Sequence, residues 1–118
     1  MRETVVLSFK PPFEGLDGEF NTFRPGLAMA KRLAAGHGVF LMDSKRQVVF
    51  GTALVTRLEQ GPLQQLCDGH AAFNHSQLSN PDKDGASARL MQIVTKLYGP
   101  HIASPTRPSV AIYLKRIE

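Results

Sequence analysis

The chain has 118 residues, of which 42% are hydrophobic and 20% charged, as expected for one globular domain over residues 1–118. The single cysteine, Cys67, excludes an internal disulfide and favours a reduced, cytoplasmic setting. No apolar run approaches the roughly 18 residues of a membrane span, so we expect no membrane contact. Lys and Arg outnumber Asp and Glu by 14 to 10, which permits an anionic partner such as nucleic acid but does not require one.

The first third of the chain predicts a strand, a loop, a short extended segment and a helix. "TVVLSF" at 4–9 is β-branched and apolar, which is typical of a buried strand. The prolines and glycines that follow predict a loop. "NTFR" is extended because Pro25 disfavours helical dihedral angles at the residue before it. "GLAMAKRLAAG" at 26–36 predicts a helix that ends at a glycine.

The rest of the chain predicts two strands, two helices and a closing strand. In chain order these are 38–43, 47–59, 61–75, 86–99 and 109–117. Helical spacing predicts apolar faces in the two helices, formed by Leu63, Leu66 and Cys67 and by Leu90, Ile93, Val94 and Leu97. Alternation in the last strand puts Val110, Ile112 and Leu114 on one side and Ala111 on the other. Gly51 inside the long second strand indicates a bulge or tight bend. Strands frame the chain and regular strand–helix alternation is missing. We therefore expect an α+β fold, a small mixed β-barrel with two or three flanking helices, and not a parallel sheet.

The segment "GEFNTFRPG" at 18–26 is the strongest candidate for a binding site. Strand alternation puts Thr22 and Arg24 on one face, which we expect to be exposed, and Phe23 on the other, toward the core. A hydroxyl beside a planar guanidinium suits a phosphate or a base edge. The alternative is that Arg24 pairs with a nearby carboxylate such as Glu19 or Asp17.

Other basic residues have two interpretations each. Lys31 and Arg32, in the last half of the predicted helix, can contact a nucleic-acid backbone or simply complement the helix dipole. Lys45, with its neighbour, lies in a predicted hairpin turn and is expected to be solvated. Exposed aromatic candidates are few and tryptophan is absent, which weakens the case for a stacking platform for single strands.

The histidines do not have the spacing of a metal site. His70 and His75 are five residues apart, whereas two zinc ligands on one helical face are four apart. We expect no metal and no cofactor, with Cys67 packed in a helix core. His70 and Asn74 are better candidates for hydrogen-bonding groups in a cleft, although His70 can also end the helix by bonding its last carbonyls.

The motifs together resemble an ASCH domain, a member of the PUA-like barrels. The resemblance is carried by "LSFKPPF", "GEFNTFRPG", "KRLAAGHGVFLMD", "FGTALVTRLE" and "LCDGHAAFNH". It covers about residues 4–75, with 109–117 as the last strand. It implies a barrel with one cleft, lined by the Thr22/Arg24 segment, the helix after it and the "HAAFNH" region. Related folds use this cleft for RNA or modified bases.

One ASCH branch hydrolyses the acetyl group of acetylated cytidine with a lysine, a threonine and a glutamate. By resemblance, Thr22 falls on the threonine position, Glu19 on the lysine position and Asn74 on the glutamate position. A carboxylate in place of an amine reverses the charge, and an amide does not titrate, so the match argues against hydrolysis. Lys10 is a possible alternative source of the amine.

Three functions remain open from the sequence. The first is a module that binds RNA or a nucleotide-like ligand in a cleft beside Thr22 and Arg24. The second is a small hydrolase acting on a modified nucleoside or on RNA. The third is a protein-interaction domain without a nucleic-acid role.

Overall fold

The computed structural model describes residues 4–117, which form a curled, five-stranded half-barrel sheet with three α-helices. The strands are β1 (Val6–Phe9), β2 (Glu19–Pro25), β3 (Gly38–Asp43), β4 (Val48–Pro62) and β5 (Pro108–Arg116). The helices are α1 (Ala28–Arg32), α2 (Leu63–His70) and α3 (Ala86–Tyr98), and a 3-10 turn (Ala71–Phe73) follows α2. The mixed α+β architecture expected from the sequence is confirmed.

The sheet has the strand order β1-β3-β4-β5-β2. β1 pairs with β3 in parallel, and the other neighbours are antiparallel. The first and last predicted strands therefore belong to the same sheet, as expected. β1 and β2 are its two edges and share no backbone ladder in the part of the chain described, so the sheet is a half-barrel and not a closed barrel. Pro11 and Pro12 follow one residue after the end of β1 and lack the N–H groups needed to extend it.

One core fills the inside of the curl. In β5, alternate residues face inward: Val110, Ile112 and Leu114, which the sequence predicted to share one side of the strand. Phe20 of β2 joins them from the neighbouring strand. We call this cluster the inner core.

A second core lies between the sheet and the helices, and we call it the helix-side core. Its α2 residues are Leu63, Leu66 and Cys67, the face predicted from the sequence. Phe23 of β2 packs into the same cluster. β2 therefore contributes to both cores through alternate residues.

One predicted helix differs from the structure, and one predicted irregularity is present. The helix expected over 26–36 is only five residues long, because Leu33 already has extended dihedral angles. None of its residues is fully buried. A single turn is too short to be stable by itself. The irregularity expected at Gly51 is present beside it, where the β3–β4 register shifts between Leu41 and Met42. None of the helices in residues 4–117 is long and apolar enough to cross a membrane.

Candidate functional site

A cleft of about 420 Å³ opens between the two edge strands of the half-barrel. Four segments line it: the end of β1 with the following loop, β2, the residues just after the 3-10 turn, and the last three turns of α3. Its volume falls within the roughly 300–1,000 Å³ of small-ligand sites. Four of the seven residues predicted to bind a ligand meet here: Lys10, Thr22, Arg24 and Asn74.

Arg24 crosses the gap between the edge strands. Its Nη2 donates a hydrogen bond of 2.9 Å to the backbone carbonyl of Ser8 in β1. Its guanidinium carbon lies 5.0 Å from the centre of the Phe9 ring, in a cation–π contact. Its Nε is buried and has no hydrogen-bond partner. One donor of this cation is therefore directed into a desolvated space without an acceptor.

The alternative that Arg24 pairs with Glu19 or Asp17 is wrong. Asp17 instead lies 3.8 Å from Arg116, and Glu19 is exposed at the first position of β2. No acidic side chain among residues 4–117 forms an ion pair with Arg24. Strand alternation explains this result, because Glu19 projects to the opposite face of β2 from Arg24.

Burial lowers the pKa of Arg24, and the nearby Tyr98 side chain of α3 partly opposes this change. A guanidinium nevertheless stays protonated in proteins. The cleft thus contains a permanent positive charge that no carboxylate neutralises.

Thr22 lies on the same side of β2 as Arg24 and is only 4% exposed. The exposed face expected for this pair is in fact a cleft wall. The Thr22 hydroxyl has no hydrogen-bond partner among residues 4–117, so it is free to bond a ligand. Phe23 faces the helix-side core, as strand alternation predicted.

Asn74 has a structural role in the cleft. Its Nδ2 donates to the Asn21 carbonyl at 3.2 Å, and its Oδ1 accepts from the Ser76 N–H at 3.0 Å and the Ser76 hydroxyl at 2.7 Å. These bonds hold the chain after the 3-10 turn against the free edge of β2, where Asn21 and Asn74 form a parallel bridge. Asn74 therefore positions its neighbours.

His75, the last residue of the "HAAFNH" segment that the resemblance placed along the cleft, lines the cleft. Its Nδ1 lies 3.2 Å from the Glu14 carbonyl, a partner 61 positions away in the chain. Its ring meets Phe9 and Phe20 edge-on, with centres 5.3 and 6.1 Å apart. Burial and the nearby charge of Arg24 lower the pKa of His75 to about 4, against the effect of the bond to Glu14.

Charged side chains surround the mouth of the cleft. Lys10, Lys96 and Glu14 line it and are exposed. Lys96 was not among the predicted site residues. Its helix neighbours Ile93 and Leu97, predicted for the buried face, are 37% and 50% exposed because they line the cleft.

Three predicted site residues lie outside the cleft. Lys31 and Arg32 are exposed at the end of α1, which packs on the inner core through Met29 and Ala30. His70 directs its Nδ1 toward the Tyr113 hydroxyl, 2.6 Å away, on the outer face of the sheet.

In residues 4–117, no group of three or more His, Cys, Asp or Glu side chains is arranged to hold a metal ion. Cys67 is a free, buried thiol of the helix-side core. Burial, assisted by the neighbouring Asp68, raises the pKa of this thiol to about 12, so it is not a nucleophile at neutral pH.

No protein-family model matches the sequence, and no curated protein matches it. Among solved structures, the chain is similar to protein EF3133 from Enterococcus faecalis V583, described as a member of family DUF984. The two share 12% sequence identity with a TM-score of 0.55 over 85% of this chain and 61% of that one. The chain therefore spans less than two thirds of that protein's length. At this identity the likeness shows the fold alone, a curled half-barrel sheet with flanking helices.

Proposed function

We propose that this chain is an ASCH-type, PUA-like module that binds RNA or a nucleotide-like ligand in the cleft between β1 and β2. The observation that carries the proposal is the half-buried Arg24 guanidinium, which lines the cleft and has no carboxylate partner among residues 4–117. A partly desolvated charge without a counter-ion is costly, and a bound anion reduces that cost. An anionic ligand therefore fits this site better than a neutral one.

The walls of the cleft suit the rest of a nucleotide. Phe9, Ile93 and Leu97 provide apolar surface for a base or a sugar. Lys10 and Lys96 at the mouth can contact additional phosphate oxygens. Mostly apolar walls with a few directed polar groups are typical of small-ligand sites.

Hydrolysis of a modified nucleoside is a second candidate, because Lys10, Thr22 and Glu14 line the same cleft and include the three side-chain types used by the hydrolytic ASCH branch. The residues at the positions matched by the resemblance argue against hydrolysis. Glu19 lies outside the cleft, and the Asn74 side chain is already hydrogen-bonded to Asn21 and Ser76. We expect the protein to release acetate from acetylated cytidine no faster than buffer does. Turnover that Lys10→Ala or Thr22→Ala abolishes would establish the hydrolase instead.

Binding is tested by titrating a short single-stranded RNA into the protein at several salt concentrations. With two or three phosphate contacts, the slope of log affinity against log salt is expected to be about −1.5 to −3. Arg24→Ala is expected to weaken binding by about 1–3 kcal/mol. Lys45→Ala is the matched control, because Lys45 is an exposed cation in the β3–β4 turn.

Equal losses for Arg24→Ala and Lys45→Ala would indicate diffuse basic attraction and contradict the cleft. Absence of RNA and nucleotide binding even at low salt would favour the protein-interaction domain.

A further inference from the structure

The tautomer of His75 is fixed by its surroundings. Its Nδ1 lies 3.2 Å from the Glu14 backbone carbonyl, and a carbonyl oxygen only accepts hydrogen bonds. The hydrogen of the neutral ring therefore sits on Nδ1. The other nitrogen, Nε2, then carries a bare lone pair and is an acceptor.

The orientation of the ring is fixed as well. Phe9 and Phe20 contact it edge-on at interplanar angles of 79° and 84°. Burial and the Arg24 charge keep the ring neutral at physiological pH, because they lower its pKa to about 4. A rigid, neutral acceptor is thus presented at one place in the cleft.

This acceptor is unused by the protein. His75 is half-buried and lines the cleft, and Nε2 bonds to no residue among 4–117. Arg24 lies close by, since its guanidinium and the His75 ring both contact the Phe9 ring, at 5.0 and 5.3 Å from its centre. One ligand of nucleotide size can therefore reach both groups.

We infer that His75 determines the specificity of the cleft: Nε2 accepts a hydrogen bond from an amino group on the ligand's base while Arg24 holds its phosphate. The ligand class is then a nucleotide, free or within RNA, whose base carries an exocyclic amino group, such as adenine or cytosine. This inference deepens the proposed function and rests on it, since it requires the phosphate at Arg24.

The test compares nucleotides that differ only in that amino group. Calorimetric titration measures the binding of the 5′-monophosphates of adenosine and cytidine, and of the same nucleotides with hydrogen in place of the amino group. For at least one pair, the parent protein is expected to prefer the amino form by about 10-fold or more. His75→Phe, which keeps an aromatic ring between Phe9 and Phe20, is expected to bind both members equally. His101→Ala, at an exposed loop position, is the control and should keep the preference.

Each outcome separates the two proposals. Equal affinity of the parent for both members, with binding still lost in Arg24→Ala, overturns the role of His75 and leaves the proposed function standing. A preference that persists in His75→Phe also overturns that role, because another group must then read the base. Absence of Arg24-dependent binding for every nucleotide overturns the proposed function itself. The first and third outcomes need only the parent and Arg24→Ala, so the test does not depend on the folding of His75→Phe.

Discussion

At the scale of single residues, Arg24 combines two properties that rarely occur together in a stable core: its Nε is buried, and no carboxylate accompanies it. The hydrogen bond to Ser8 and the Phe9 ring recover only part of its lost hydration. Such a residue favours ligand binding at the expense of folding stability.

Arg24→Met tests this trade-off. The substitution replaces a half-buried charge that has no carboxylate partner by an apolar chain of similar length, so we expect the unfolding free energy to rise by about 0.5–2 kcal/mol while anion binding is lost. Arg89→Met is the control. Arg89 bonds Gln77 at 2.7 Å and Asp82 at 3.0 Å, so its replacement should destabilise the fold. Urea denaturation measures both. A clear loss of stability in Arg24→Met would show that the guanidinium is a structural group.

His75 gives a second prediction at this scale. Its pKa is lowered from 6.5 to about 4 in the folded state, so the unfolded chain takes up a proton at higher pH than the folded one. The stability associated with the neutral ring is complete above pH 6.5 and is lost as the pH falls toward 4. The loss amounts to about 2–3 kcal/mol.

Urea denaturation at pH 7 and at pH 4.5 checks this expectation. The stability difference between the parent and His75→Phe is expected to shrink by about 2 kcal/mol at the lower pH. The exposed control His101→Ala should show no comparable change. An unchanged difference for His75→Phe would mean that the ring is protonated as easily in the fold as in the unfolded chain.

At the scale of elements, β2 organises the cleft by serving three surfaces at once. Phe20 joins the inner core, Phe23 joins the helix-side core, and the free backbone edge at Asn21 binds the chain after the 3-10 turn. An edge strand with unpaired groups is normally a liability. Here the Asn21–Asn74 bridge covers part of that edge and places His75 in the cleft.

Asn74→Ala tests this arrangement. It removes the bonds to Asn21 and Ser76 at a buried site, so we expect a loss of about 1–3 kcal/mol in unfolding free energy, together with weaker nucleotide binding as His75 shifts. Ser79→Ala, at an exposed position in the following loop, is the control and should affect neither quantity. Full binding affinity in Asn74→Ala would separate the bridge from the cleft.

At the scale of the whole molecule, the sheet joins two cores that lie on its opposite faces. β5 contributes Ile112 to the inner core and Ala111 to the helix-side core, as adjacent residues of one strand. The Cα radius of gyration is 13.4 Å, close to the roughly 13 Å of a compact domain of about 100 residues. Neither core can open without disturbing the strands that belong to the other.

The two cores are therefore expected to unfold together. Leu41→Ala in the inner core and Leu90→Ala in the helix-side core each remove a side chain that is at most 2% exposed. Each should lower the unfolding free energy by about 2–5 kcal/mol without splitting the urea transition. A biphasic transition in Leu90→Ala alone would show that α2 and α3 form a separate unit.

Local patterns in the sequence determined most of the elements. The alternation of β5 separated Val110, Ile112 and Leu114 from Ala111, and the helical spacing of α2 identified Leu63, Leu66 and Cys67, because both patterns depend on neighbours within a few residues. The same reasoning placed Thr22 and Arg24 on one face of β2. That these two residues bind a nucleotide remains a prediction.

The tertiary structure determines which groups lie near the Thr22 and Arg24 face of β2. Ser8, His75 and Tyr98 lie far from Arg24 in the sequence, and only the curl of the sheet and the packing of α3 bring them to it. The same packing left Lys31, Arg32 and His70 outside the cleft and committed Asn74 to the bridge with Asn21. Charge and hydrogen-bonding capacity belong to a residue, whereas desolvation and partners depend on the folded surroundings, and these give the Arg24 cation and the neutral His75 acceptor their chemistry.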